Sequence, residues 1–233
     1  MIYLYLWNDL DLFINNSEII SLAQKLMEKI TTCPNEKVKY KLFNGSEYLK
    51  WVNSVNDKSE NKIAIGTRPH IILERLKIKH SQLKITRQHL KNGKSSIIPT
   101  KISDTIKKVF PKNKKISIYE DISVCGTTIL ELKRITDSLS LEAKNISINI
   151  FCMNNNTLKK LTSETNFNFQ IHNIMEGIPI KNSTFLCLSD LINGYIGERK
   201  YIDCKDLLEK FFPDNFDKLS AAIHQLTERI NNG

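Results

Sequence analysis

The stretch Lys114–Ile135, KKISIYEDISVCGTTILELKRI, decides how this chain folds. Ile116-Ser117-Ile118-Tyr119 is short, apolar and β-branched, which predicts a buried strand. Glu120 and Asp121 stand where that strand ends, and the spacing predicts a helix from about Thr128. Strand, tight turn and helix in this order form the repeating piece of a parallel sheet.

The flanking sequence carries the same alternation. MIYLYLW predicts a first strand, and a helical period follows Ser17, with Ile19, Ile20, Ala23, Met27 and Ile30 on one face. KVKYKLF alternates like a strand and stops at Asn44-Gly45, after which Ser46 is positioned to cap a short helix bearing Tyr48, Leu49 and Val52. NDKSENK reads as a loop, IAIG as a buried strand, and PHIILERL as a helix with Pro69 near its start. SQLKITR predicts another strand, QHLKNGKSSIIPT a surface loop, and KISDTIKKVF a helix. Beyond residue 135, NISINIFCM and STFLCLSDLI are apolar enough for central strands, with NFNFQIHNIM between them, and the tail from Lys205 is helical with a break at Pro213. The expected fold class is α/β, a parallel-sheet core with helices on both faces. Without a Pro/Gly-rich linker, the expectation is a single domain over 1–233. Its core spans about 40–204, with extra N-terminal elements and a helical tail over 205–233.

Composition narrows the function classes. Of 233 residues 41% are hydrophobic and 25% charged, which permits a packed core and excludes wholesale disorder. No apolar run reaches the ~18 residues of a membrane-spanning helix, and the N-terminus lacks the basic leader and small-residue cleavage site of a signal peptide. The five cysteines form no CxxC pair, and three lie in apolar contexts. Reduced thiols in a cytoplasmic protein are therefore expected. The five histidines show no metal spacing. A net charge of +9 attracts polyanions, but the basic residues are spread along the chain rather than gathered in one arm. That leaves nucleic acid open as a partner without favouring it.

The opening stretch then acquires a chemical reading. Ligands of a parallel α/β sheet bind at the carboxyl ends of its strands, where Glu120 and Asp121 stand. Successive strand residues face opposite ways, so the two acids differ in role. A helix N-terminus is an anion site. Gly126 lets the backbone approach a phosphate, and Thr127 and Thr128 add hydroxyl donors. A phosphate beside hydroxyl groups describes a phosphorylated sugar, whose hydroxyls carboxylates accept or reach through Mg²⁺.

ISIYEDISVCGTT resembles the motif with which type I phosphoribosyltransferases bind 5-phosphoribosyl 1-pyrophosphate (PRPP). In that family an apolar strand leads to two acids, two further residues and a small Thr/Gly-rich loop. The resemblance implies that Glu120 and Asp121 contact the ribose hydroxyls and that Val124, Cys125, Gly126, Thr127 and Thr128 wrap the 5′-phosphate. It also implies Mg²⁺ as cofactor and a homodimer. The chain departs from the family at Val124, where Thr or Asp is usual, and at Cys125, where Thr is usual. Val124 can neither face a base as an acid nor move a proton, which tells against purine-type chemistry.

Other segments fit the same resemblance. Gly66, Thr67 and Arg68, between strand and helix, stand where the family binds pyrophosphate, and Arg68 offers a fork suited to phosphate oxygens. Arg87 occupies the position of a basic pair, and Lys91 and Lys94 are cations of a glycine-containing loop suited to cover a pyrophosphate leaving group. Asp190, Tyr195 and Arg199 lie where the family builds its acceptor side. The implied reaction transfers phosphoribosyl to a nitrogenous base or related acceptor and releases pyrophosphate. The alternative is a non-catalytic regulator or effector on the same fold that binds PRPP or a nucleotide, with nucleic acid as a further partner open to it. The acceptor itself is not legible.

Overall fold

The computed structural model describes residues 2–32, 38–56, 61–83, 87–89, 95–97, 115–123, 126–175, 183–188, 209 and 212–232. The chain gathers into two compact units, Met1–Tyr48 with Lys181–Gly233, and Leu49–Ile180. The sequence reading expected one domain with a C-terminal tail. The residues expected as a helical tail return to the beginning of the chain and share a core with it.

The first unit is built on a three-stranded parallel sheet. Strand β1 (Ile2–Asn8) lies between β10 (Ser183–Cys187) and β2 (Val38–Asn44), with Trp7 in register with both Cys187 and Phe43. The segment expected as a central strand, STFLCLSDLI, therefore forms an edge strand of this smaller sheet. Apolar content reports burial and says nothing of position within a sheet. Helix α1 (Ser17–Thr32) buries Ile19, Ala23, Leu26, Met27 and Ile30, the 3.6-residue stripe of an amphipathic helix. Asn16 caps it, accepting from the backbone of Glu18 at 3.0 Å. The last helix, α6 (Phe216–Asn232), follows a short 3₁₀ turn at Pro213–Asn215 and packs on α1. Its Leu219, Ile223 and Leu226 join the α1 stripe and Leu6 in one cluster. Helix α2 (Gly45–Val55) follows β2. Asn44 caps it rather than Ser46: Asn44 Oδ1 accepts from the Glu47 N–H and the Ser46 hydroxyl, each at 2.7 Å. The Ser46 N–H goes instead to Asp11 Oδ2 at 3.1 Å.

The second unit holds a five-stranded, wholly parallel sheet in the order β4-β3-β7-β8-β9. Its members are β3 (Asn61–Ile65), β4 (Ser81–Leu83), β7 (Ile116–Ser123), β8 (Ile146–Asn154) and β9 (Asn168–Met175). Helices α3 (Thr67–Arg75), α4 (Thr127–Ser138) and α5 (Asn155–Thr165) follow β3, β7 and β8. The fold class is thus α/β with a parallel sheet, as the alternation predicts.

The main core lies on one face of this sheet, where Ile116 and Ile118 of β7 and Ile146, Ile148 and Ile150 of β8 meet Ile129, Leu132 and Ile135 of α4 and Leu161 of α5. Each fully buried isoleucine contributes about 1.5–3 kcal/mol, so this cluster fixes β7 and the start of α4 firmly. On the opposite face, His172 of β9 stacks on buried Phe151 of β8, and Trp51 of α2 meets the same ring at a tilt.

One expected loop is partly a ladder. Strands β5 (Arg87–His89) and β6 (Ser95–Ile97) pair antiparallel, Arg87 opposite Ile97, and β6 lies against α4. The sequence signal was Asn92-Gly93, a dipeptide suited to hairpin turns. The expected helix KISDTIKKVF lies outside the described residues.

Candidate functional site

Topology alone indicates where a ligand would enter. The chain runs from β3 outward to β4, then returns to β7 on the other side of β3 and proceeds outward again through β8 and β9. The order reverses between β3 and β7. In open parallel sheets the crevice outside the carboxyl ends of two such strands is the usual ligand site. Two loops border it here, Gly66–Arg68 after β3 and the acidic end of β7.

The strand register brings these loops together. Ile63 pairs with Ile118 and Ala64 with Tyr119, so the same register carried forward sets Gly66 opposite Asp121. Arg68 then reaches across, its Nη1 donating to Asp121 Oδ2 at 3.2 Å, with side chains 15% and 20% exposed. The other carboxylate oxygen of Asp121 accepts from the Ile122 N–H at 2.7 Å. Two candidate residues, 53 positions apart in sequence, thus form one ion pair at the mouth of the crevice. A half-buried pair in this position carries charge that a polar ligand can use.

The two acids do face opposite sides. Glu120 continues the Ile116–Ile118 side and is 2% exposed, whereas Asp121 lies half-buried on the side of Tyr119. A carboxylate taken so far from water is costly unless it is bonded or paired. Asp121 is the more accessible of the two.

Gly126 precedes α4 with φ 73° and ψ 5°, the left-handed region that favours glycine. Packing demands glycine as well, because a Cβ there would lie 2.9 Å from Thr157 Cγ2 and 3.1 Å from both Leu161 methyls. The sequence reading gave this glycine to phosphate approach, and the close packing of α4 on α5 is a second reason for it. Thr128 is buried and Thr127 half-buried, so Thr127 is the hydroxyl nearer solvent.

Gly66 is a different case. It has φ 84° and ψ −163°, a conformation essentially restricted to glycine, yet a Cβ built on it meets nothing within 4 Å. Its N–H donates to the Leu83 carbonyl and its own carbonyl accepts from Gln82 Nε2, each at 3.1 Å. Sequence reasoning missed Gln82, because its role arises only when β4 pairs beside β3. It also missed a pair of histidines behind this loop: His70 Nδ1 lies 2.7 Å from His80 Nε2, and His80 Nδ1 lies 2.7 Å from the Ile78 carbonyl.

Of the remaining candidates, Arg87 begins β5. Val124, Cys125, Lys91, Lys94, Asp190, Tyr195 and Arg199 lie outside the described residues. Among the described residues, no group of three or more His, Cys, Asp or Glu side chains is disposed to hold a metal. Cys152 and Cys187 are buried. No helix among the described residues is long and apolar enough to cross a membrane.

No protein-family model matches the sequence, and a comparison with curated proteins found no match. The chain is similar in structure to a purine phosphoribosyltransferase from Pyrococcus horikoshii, at 17% identity and TM-score 0.37 over 60% of this chain and 84% of that one. It is similar to an adenine phosphoribosyltransferase from Thermoanaerobacter pseudethanolicus at 14% identity and TM-score 0.39, over 56% and 80% of the two chains. An orotate phosphoribosyltransferase from Aeropyrum pernix matches at 11% identity and TM-score 0.37, over 55% and 70%. The fold class stands on the strand order and register themselves.

Proposed function

We propose that this chain binds PRPP with Mg²⁺ between β3 and β7 and transfers its phosphoribosyl group to a nitrogenous base or related acceptor, releasing pyrophosphate. The observation that carries the proposal is the Arg68–Asp121 pair at the switch point of the sheet. A cation suited to phosphate oxygens and a carboxylate suited to sugar hydroxyls stand side by side there. A pyrophosphate at the α3 end and a ribose over Asp121 would each take one member of that pair.

In this reading Asp121 accepts from the ribose hydroxyls and Glu120 supports them from the buried side of β7. The Gly126–Thr128 turn and the N-terminus of α4 receive the 5′-phosphate. Arg68 and the N-terminus of α3 receive the pyrophosphate and offset the negative charge that grows on it as it leaves. Mg²⁺ is usually held by one or two carboxylates plus substrate phosphates rather than by an all-protein cage. The accessible carboxylate of Asp121 fits that mode of binding. The ion would neutralise pyrophosphate charge there. The rest of the catalysis is positioning of the two reactants.

The test is release of pyrophosphate from PRPP and Mg²⁺ across a panel of purine, pyrimidine and related bases. Release by the wild type that is lost in Asp121→Asn supports the enzyme. PRPP binding without release from any acceptor would point instead to a regulator or effector. Absence of PRPP binding would remove the proposal.

A further inference from the structure

We infer that Gln82 is a positioning residue for the pyrophosphate end of this site, fixing the Gly66–Thr67 peptide so that the Thr67 N–H is presented to the anion. The inference rests on the PRPP reading above, and its test separates the two.

Gly66 leaves β3 in a backbone conformation essentially open only to glycine, and because glycine is permissive its neighbours must fix it there. The determination comes from β4. Leu83 accepts from the Gly66 N–H, and the Gln82 side chain donates to the Gly66 carbonyl, both at 3.1 Å. Those two bonds hold the residue at both ends. The described residues contain no cis peptide, and in a trans peptide the N–H points opposite the carbonyl of the same unit. With the Gly66 carbonyl turned to Gln82, the Thr67 N–H is turned away from β4. The missing Gly66 side chain leaves space on the glycine, where a Cβ would meet nothing within 4 Å.

The first N–H groups of a helix have no partner within the helix, and Pro69 at the third position of α3 supplies none. Thr67 and Arg68 therefore supply the first two N–H groups of this end of α3. The Arg68 side chain extends from the same turn to Asp121. Without Gln82 the Gly66–Thr67 peptide loses its side-chain restraint, and glycine accepts a rotated conformation at little cost. The Thr67 N–H would then no longer be held in place.

The experiment is titration calorimetry on wild type and Gln82→Met, with PRPP plus Mg²⁺ and with ribose 5-phosphate as ligands. Methionine keeps the length of the side chain and loses the donor. Loss of one positioned hydrogen bond predicts a PRPP affinity lower by about threefold to tenfold. Binding of ribose 5-phosphate, which has no pyrophosphate, should be unchanged. Equal PRPP affinity in the two proteins overturns the role of Gln82 and leaves the functional reading intact. Equal loss for both ligands also overturns it, since that is the mark of a general structural defect. A wild type that binds neither ligand overturns the functional reading, and this inference with it.

Discussion

Replacing Gly126 by alanine tests the local logic of the β7–α4 turn. Two costs follow from the geometry. The left-handed backbone, φ 73°, costs an L-residue about 1–2 kcal/mol. The new methyl would stand 2.9 Å from Thr157 Cγ2 and 3.1 Å from Leu161 Cδ1 and Cδ2, and overpacking of this kind typically costs about 1–3 kcal/mol. The two together predict a loss of about 2–5 kcal/mol, read as a lower urea midpoint with an unchanged slope. A double-mutant cycle with Thr157→Ala separates the contributions, because removing Cγ2 relieves the closest contact but not the backbone strain. The cycle should therefore recover about 0.5–2 kcal/mol. A Gly126→Ala protein within about 0.5 kcal/mol of wild type, or a cycle without coupling, would refute this account of the turn.

Other expectations are as specific. Asn44→Ala removes the side-chain cap of α2 and should lower stability by about 1 kcal/mol, measured by chemical denaturation of the whole chain. Arg68→Met should weaken PRPP binding by about tenfold to a hundredfold, the range for a charge-assisted hydrogen bond, with little effect on ribose 5-phosphate. The Ile78 carbonyl can only accept, so neutral His80 must carry its proton on Nδ1 and accept from His70 Nδ1–H. Long-range ¹H–¹⁵N correlation should find both rings as Nδ1–H tautomers at high pH, and an Nε2–H tautomer at His80 would contradict the arrangement.

What was legible in the sequence follows from where the determining physics lies. The strand at Ile116 and the helix beginning within a residue of Thr128 were readable because periodicity and turn chemistry are local. The α/β class was readable because alternating strands and helices leave few other packings. The return of the last elements to the first was not, because β10 and α6 join β1 and α1 across most of the chain, and no local feature of STFLC distinguishes an edge strand from a central one. At the site, Glu120 and Asp121 could be named from their position at a strand end, and Arg68 from its place between strand and helix. The meeting of Arg68 with Asp121 could not, since it depends on β3 and β7 becoming neighbours. Gln82 was invisible for the same reason: it meets the Gly66 carbonyl, 16 residues before it, only once β4 pairs beside β3. The cap of α2 was misplaced by two residues because Asn44, Ser46 and Asp11 all offer side-chain oxygens, and only the folded backbone decides which is used.

In the proposed site the crevice between β3 and β7 binds PRPP through Asp121 and Arg68. Titration calorimetry of PRPP into the intact chain with Mg²⁺, alongside Asp121→Asn, tests it most directly. Saturable binding at one site per chain is expected, weakening on removal of Mg²⁺ and falling at least about tenfold in the variant. Heats no different from dilution for the wild type, or equal affinity in wild type and variant, would contradict it.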